Sequence, residues 1–117
     1  MAFDDLVALA MKSNPQWGLA ECQLWVPSKK LHHPNTAFRN WSNRPAMKDL
    51  FAKISAPTLI LKADAEGELR QQNEEIANTL QNGTLVHIKD AKHNVHRDQK
   101  ERLHVALKAF LGPYEGI

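Results

Sequence analysis

Two short apolar runs set the limits on what this chain can fold into. Residues 56–63 read APTLILKA and residues 84–88 read TLVHI. Between them, ELRQQNEEIANTLQNG puts Leu69, Asn73, Ile76, Ala77 and Leu80 on one helical stripe, with Gly83 placed to end the helix. An unbroken run such as TLIL, opened by a proline, has the pattern of a strand buried on both faces. Strand, helix and strand within roughly thirty residues is the spacing of a right-handed parallel crossover. Only two strands are legible, yet a parallel sheet is stable when several strands share it and helices cover both faces. The expectation is an α/β fold with an incomplete parallel sheet, whose remaining strands belong to another chain or to an absent portion of this one.

The rest of the chain reads as helices and loops. Phe3, Leu6, Val7, Ala10 and Met11 recur at helical intervals, with Asp4 and Asp5 in the first turn where they oppose the positive helix end. That helix is expected to stop at Ser13-Asn14-Pro15, because the residue before a proline is steered out of the helical region. A second helix through QWGLAECQLWVPSKK is expected to be interrupted at Pro27. Residues 31–45 are polar and proline-punctuated and read as an irregular loop, and AMKDLFAKI as one short helix with Leu50, Phe51 and Ile54 inward. The last helix opens with Asp98 and Glu101 in capping-box spacing, carries Leu103, Ala106, Leu107, Phe110 and Leu111 at the helical period, and closes at Gly112-Pro113. The chain thus divides into a helical segment, 1–45, and an α/β portion, 46–117.

Bulk properties exclude several functions. A length of 117 residues is that of about one domain, enough to bury about two-thirds of the unfolded surface. The net charge of +2 comes from interspersed acids and bases, so no field is expected that would hold nucleic acid or an anionic membrane. Small-molecule or protein partners are expected instead. Cys22 stands alone, which excludes an internal disulfide and a cysteine zinc site and suits a reducing, cytoplasmic setting. The first residues carry acids where a signal peptide has bases, and no segment approaches the ~20 apolar residues that span a bilayer. The sequons at Asn40 and Asn82 are therefore read as chance.

The residues with chemical potential cluster after the second apolar run, in DAKHNVHRDQKER, 90–102. An imidazole on a loop at the C-terminal edge of a parallel sheet can take a proton from a hydroxyl and return it to a leaving group, so His93 reads either as a base or as an exposed loop histidine. His96 reads as structural. A metal is not expected: His32 and His33 are adjacent and diverge on most backbones, and His93 with His96 lacks the third clustered ligand of a catalytic zinc. Trp17, Trp25 and Trp41 read equally as packing and as an aromatic pocket wall.

From ISAPTLILKADAEGE to VHIKDAKHNVHRDQKERLHVALKAFL the sequence resembles the C-terminal portion of the α/β-hydrolase fold, with its last two strands, the helix between them and the closing helix. The resemblance covers about half the chain. It implies a Ser-His-acid triad without a cofactor, in which His93 falls on the catalytic histidine. It places the acid on the loop after the first run, where Glu66 stands three residues past Ala63 and Asp64 one residue past it; both are candidates, Glu66 first. NPQWGLAECQLWVPSKK resembles the helical lid of that fold and implies a substrate-facing role for Trp17 and Trp25. The same fold needs a G-x-S-x-G nucleophile elbow, and none of Gly18, Gly67, Gly83, Gly112 and Gly116 flanks Ser13, Ser28, Ser42 or Ser55 in that way. A histidine and an acid without a nucleophile do not form an acyl-enzyme. The expected function is therefore the C-terminal part of an ester- or acyl-hydrolysing enzyme, inactive alone. Its partners would be a small-molecule ester or acyl substrate and a complementing N-terminal chain. The alternative is a non-catalytic, self-associating or partner-binding module, with a homo-oligomer as its assembled form.

Overall fold

A computed structural model describes residues 1–40 and 42–114, which fall into two compact units, Met1–Asn43 and Arg44–Ile117. Trp41, named above as a pocket-wall candidate, lies outside the described residues.

The first unit is a helical pair. Helix α1 (Phe3–Ser13) carries Asp4 and Asp5 at its start and Lys12 at its end, charges that suit the helix dipole. It stops at Asn14, whose backbone N–H and side-chain Nδ2 both donate to the Ala10 carbonyl at 3.0 Å. Helix α2 (Leu19–Lys30) starts where Glu21 Oε2 accepts the Gly18 N–H at 3.0 Å. Val7 and Ala10 from α1 enclose a small core with Trp17, Cys22 and Val26, flanked by half-buried Leu6 and Trp25. Contrary to the expectation from sequence, α2 runs through Pro27. The proline removes one backbone donor, but the helix end is only one turn away. There the Ser28 hydroxyl donates to the Trp25 carbonyl at 2.6 Å and the Leu31 N–H donates to the Pro27 carbonyl at 3.0 Å. The loop beyond contains a short 3₁₀ turn, Pro34–Phe38.

The second unit is an α/β arrangement built on an open two-stranded parallel sheet. Helix α3 (Met47–Phe51) precedes strand β1 (Thr58–Ala63), helix α4 (Gly67–Ala77) and strand β2 (Gly83–Ile88). A short α5 (Val95–Asp98) and the closing α6 (Lys100–Leu111) follow. The strands pair in register from Thr58↔Gly83 to Ala63↔Ile88, so both end at the same level. Leu59, Leu61 and Ala63 share one face with Thr84, Val86 and Ile88, and the opposite face carries Ile60 and Lys62 with Leu85 and His87. Helix α6 lies over the first face, where Val86 and Ile88 line a hollow with Val105, Ala106 and Phe110. Helices α3 and α4 lie over the second, where Ile60 and Lys62 meet Phe51 and Ile76. The sheet is thus sandwiched, but β1 stays half-buried because each strand has one neighbour among the described residues.

Two sequence expectations are corrected here. Gly83 does not end α4, which stops at Ala77; it opens β2, and a Cβ at that position would sit 2.6 Å from Leu80 Cβ. The glycine is there for close approach, because Leu80 is buried in the turn before it. Nor does Asp98 cap the last helix. The chain breaks at Gln99 between α5 and α6, Gln99 takes the cap position without a side-chain bond, and Asp98 turns back into the preceding loop. No described helix is long and apolar enough to cross a membrane.

Candidate functional site at the C-terminal strand edge

Because β1 and β2 end level, the loops that follow them are neighbours. The Asp64 N–H donates to the Ala91 carbonyl at 2.9 Å, and the Asp90 N–H donates to Asp64 Oδ2 at 2.8 Å. Asp90 takes a left-handed backbone, φ 62°, an uncommon state for a non-glycine residue that Asp tolerates better than most. Its carboxylate meets Arg102 Nη1 at 3.3 Å, and the same guanidinium donates to the Lys89 carbonyl at 3.2 Å, so α6 grips the turn from outside. Beyond the turn, buried Ala91 donates to the Ile88 carbonyl, and the Lys92 N–H donates to Asp98 Oδ2 at 2.8 Å. Asp98 is only 5% exposed. It is the acid whose spacing to Glu101 assigned it to a helix cap and which the fold uses to close the loop that carries His93.

His93 stands exposed on that loop and lines a hollow of about 400 Å³ with Asp64, Ala65, Leu69, Asn73 and Val95. Of the two acids named from sequence, Asp64 therefore shares a hollow with His93. Glu66 instead precedes α4 and lines an adjoining hollow of about 510 Å³ with Asp64, Arg70, His87 and Lys89. Gly67 makes the turn between that acid loop and α4 possible through its left-handed φ of 55°. No hydrogen bond joins His93 to Asp64 or Glu66 among the described residues. His96 is exposed on α5. Among the described residues no group of three or more His, Cys, Asp and Glu side chains is placed to hold a metal ion.

The tryptophans belong to the first unit. Trp17 is buried in its core and meets Trp25 edge to face, with ring centroids 5.6 Å apart. Trp25 is half-buried, lines a hollow of about 200 Å³ with Leu6, Leu9 and Val26, and carries Lys29 Nζ 4.6 Å above its ring. Trp17 is enclosed by packing, and Trp25 keeps an accessible edge.

His87 was not singled out in the sequence. Its Nε2 lies 3.1 Å from Asn73 Nδ2, the one polar residue on the inward stripe of α4, and that misplaced asparagine was the available signal. Burial, and next the Arg70 guanidinium, hold the His87 pKa below its ordinary value; the Glu74 and Asp64 carboxylates pull the other way. A neutral His87 accepts at Nε2 from the asparagine amide.

Parallel strands, a crossover helix, an acid-bearing loop and a histidine-bearing loop at one sheet edge, and a closing helix make an incomplete sheet of the hydrolase-like kind. In sequence the chain is similar to Epoxide hydrolase 1 of Caenorhabditis elegans, at 33% identity over 114 residues, an alignment that takes 92% of this chain and 28% of that protein. The chain therefore spans much less than half the length of the curated relative it matches. No family model matches the chain, and no solved structure matches it at comparable significance.

Proposed function

We propose that this chain is the C-terminal, histidine-bearing part of an α/β-hydrolase, with Met1–Asn43 as lid-like helices, and that it acts when the nucleophile-bearing part is supplied. The observation that carries the reading is the shared hollow of Asp64 and His93 at the C-terminal ends of two parallel strands, the place where open α/β sheets bind ligands. The similarity to a protein named for epoxide hydrolysis supports an epoxide, beside an ester or acyl compound, as the substrate class. Both substrates need the same service: a base that removes a proton from an attacking hydroxyl or water. His93 takes that role, and Glu66 or Asp64 orients the imidazole.

The test is a chimera in which this chain replaces the matched part of Epoxide hydrolase 1, assayed for diol formation from styrene oxide and for p-nitrophenyl ester cleavage. Turnover is expected, and His93→Gln is expected to lower it by about 10²–10⁴-fold, the usual contribution of a general base. A folded chimera whose turnover is indifferent to His93→Gln refutes the reading.

A second reading, a non-catalytic module that self-associates, is favoured by one observation. Helix α6 exposes Val105 and Leu111 beside a sheet whose strands are each bonded on one side among the described residues. Sedimentation decides it, since a monomer at all concentrations removes this reading.

A further inference from the structure

We propose that Asp64 is a positioning residue, a carboxylate latch that fixes the His93 loop through the backbone of Asp90. The proposal rests on the reading of His93 as the base and adds to it how that base is held.

The latch is visible as a closed pair of bonds between the two loops. The Asp64 N–H donates to the Ala91 carbonyl at 2.9 Å, and Asp64 Oδ2 accepts the Asp90 N–H at 2.8 Å. Asp90 donates the second bond from a left-handed backbone, φ 62°. Arg102 holds the outside of the same turn through Asp90 Oδ2 and the Lys89 carbonyl, and Gln99 Nε2 donates to the Asp90 carbonyl at 3.4 Å. One step further on, the Lys92 N–H is held by Asp98, and the Asn94 carbonyl accepts from Arg97 and Asp98 at the start of α5. His93 is thus a single residue between Lys92, held by Asp98, and Asn94, and Asp64 anchors the same loop two residues before Lys92, at Asp90. Asp64 also lines the His93 hollow, so one side chain spans the latch and the candidate site. A carboxylate spent on an amide N–H acts on the imidazole through the loop.

The experiment needs no turnover, so its failure is separate from failure of the hydrolase reading. In the intact chain, amide exchange at position 90 and the His93 ring Cε1–H resonance are followed at one fixed pH in wild type, Asp64→Ala and Asp64→Asn. Asp64→Ala is expected to speed exchange at position 90 by about tenfold or more and to move the His93 line, with the Leu85 and Val86 amides unchanged. Asp64→Asn keeps an acceptor oxygen and is expected to restore both. Unchanged exchange in Asp64→Ala, a stationary His93 line, or failure of Asn to rescue overturns the proposal. Should Asp64→Ala not fold, a through-hydrogen-bond coupling between the Asp90 amide nitrogen and the Asp64 carboxyl carbon in the wild type carries the test, and its absence overturns the latch.

Discussion

Replacing Gly83 by alanine tests the packing that sets β2 in place. A Cβ there would lie 2.6 Å from Leu80 Cβ and 2.7 Å from Leu80 Cδ1, about 1 Å inside the ~3.5–4.0 Å at which carbons pack well. The closest atom is a Cβ fixed to the backbone, so the turn itself must give. Overpacking of this kind costs about 1–3 kcal/mol. Alanine also restricts the unfolded chain, which returns about 0.4–1 kcal/mol. The net expectation is a loss of about 1–2 kcal/mol, a fall in Tm of about 5–15 °C for a domain of this size. All three tryptophans precede residue 44, so fluorescence follows the first unit, and amide exchange of Leu85 and Val86 follows the second. Gly83→Ala should shorten exchange times in β2 and leave the fluorescence transition in place. Leu80→Ala alone removes a side chain that is 8% exposed and should cost about 2–5 kcal/mol. In the double variant the overlap with Leu80 Cδ1 is gone while that with Leu80 Cβ, which alanine keeps, remains, so it should be more stable than the sum of the singles by a fraction of the Gly83→Ala cost. Strict additivity, or a Gly83→Ala protein within about 0.5 kcal/mol of wild type, refutes the reasoning.

Three further outcomes follow from the site. His87 titrates below its ordinary value in the fold, so the unfolded chain binds more protons in that window and stability should fall as pH drops through about 6.5; His87→Gln should flatten the slope of Tm against pH there. Asp98→Ala removes a buried, charge-assisted acceptor from the Lys92 N–H and should cost about 1.5–3 kcal/mol with faster Lys92 exchange, whereas Asp98→Asn should cost less. Cys22 is fully buried, so its thiol should react with Ellman's reagent only at the rate at which the first unit opens; immediate reaction in the native protein would contradict the helical core.

What could be read in the sequence was what periodicity encodes. TLIL and TLVHI are β1 and β2, the stripe from Leu69 to Ala77 is α4, and the run from Leu103 to Leu111 lies in α6, because an apolar face repeats with the period of its element. What could not be read depends on individual side-chain and backbone contacts that leave no periodic trace. Pro27 stays inside α2 one turn from its end, where Ser28 and Leu31 donate to nearby carbonyls, a local arrangement with no periodic signature. Gly83 looked like a helix stop because glycines usually are, and only the buried Leu80 beside it shows the need for close approach. Asp98 has the spacing of a cap toward Glu101, but its carboxylate points six residues back to Lys92. His87 depends on Asn73 fourteen residues away, across the crossover.

The same register that ends the two strands together also decides how the loops meet. Side chains alternate along a strand, so a slip of one residue would carry Ile88 and Val86 to the other face and remove Asp64 from the level of Asp90. Ile88, at 2% exposure, is the most buried side chain of the sheet and faces α6, which makes that slip costly. The juxtaposition of the acid loop and the histidine loop is therefore a consequence of core packing in Arg44–Ile117, internal to this unit. On the proposed reading, a complementing chain has only to bring a nucleophile and oxyanion donors to an edge that is already arranged. Ile88→Thr then becomes a test at a distance: it leaves every loop residue in place, yet it should loosen the Asp90 and Lys92 amides together with those of β2. Loosening confined to β2 would mean that the loops hold one another without the sheet.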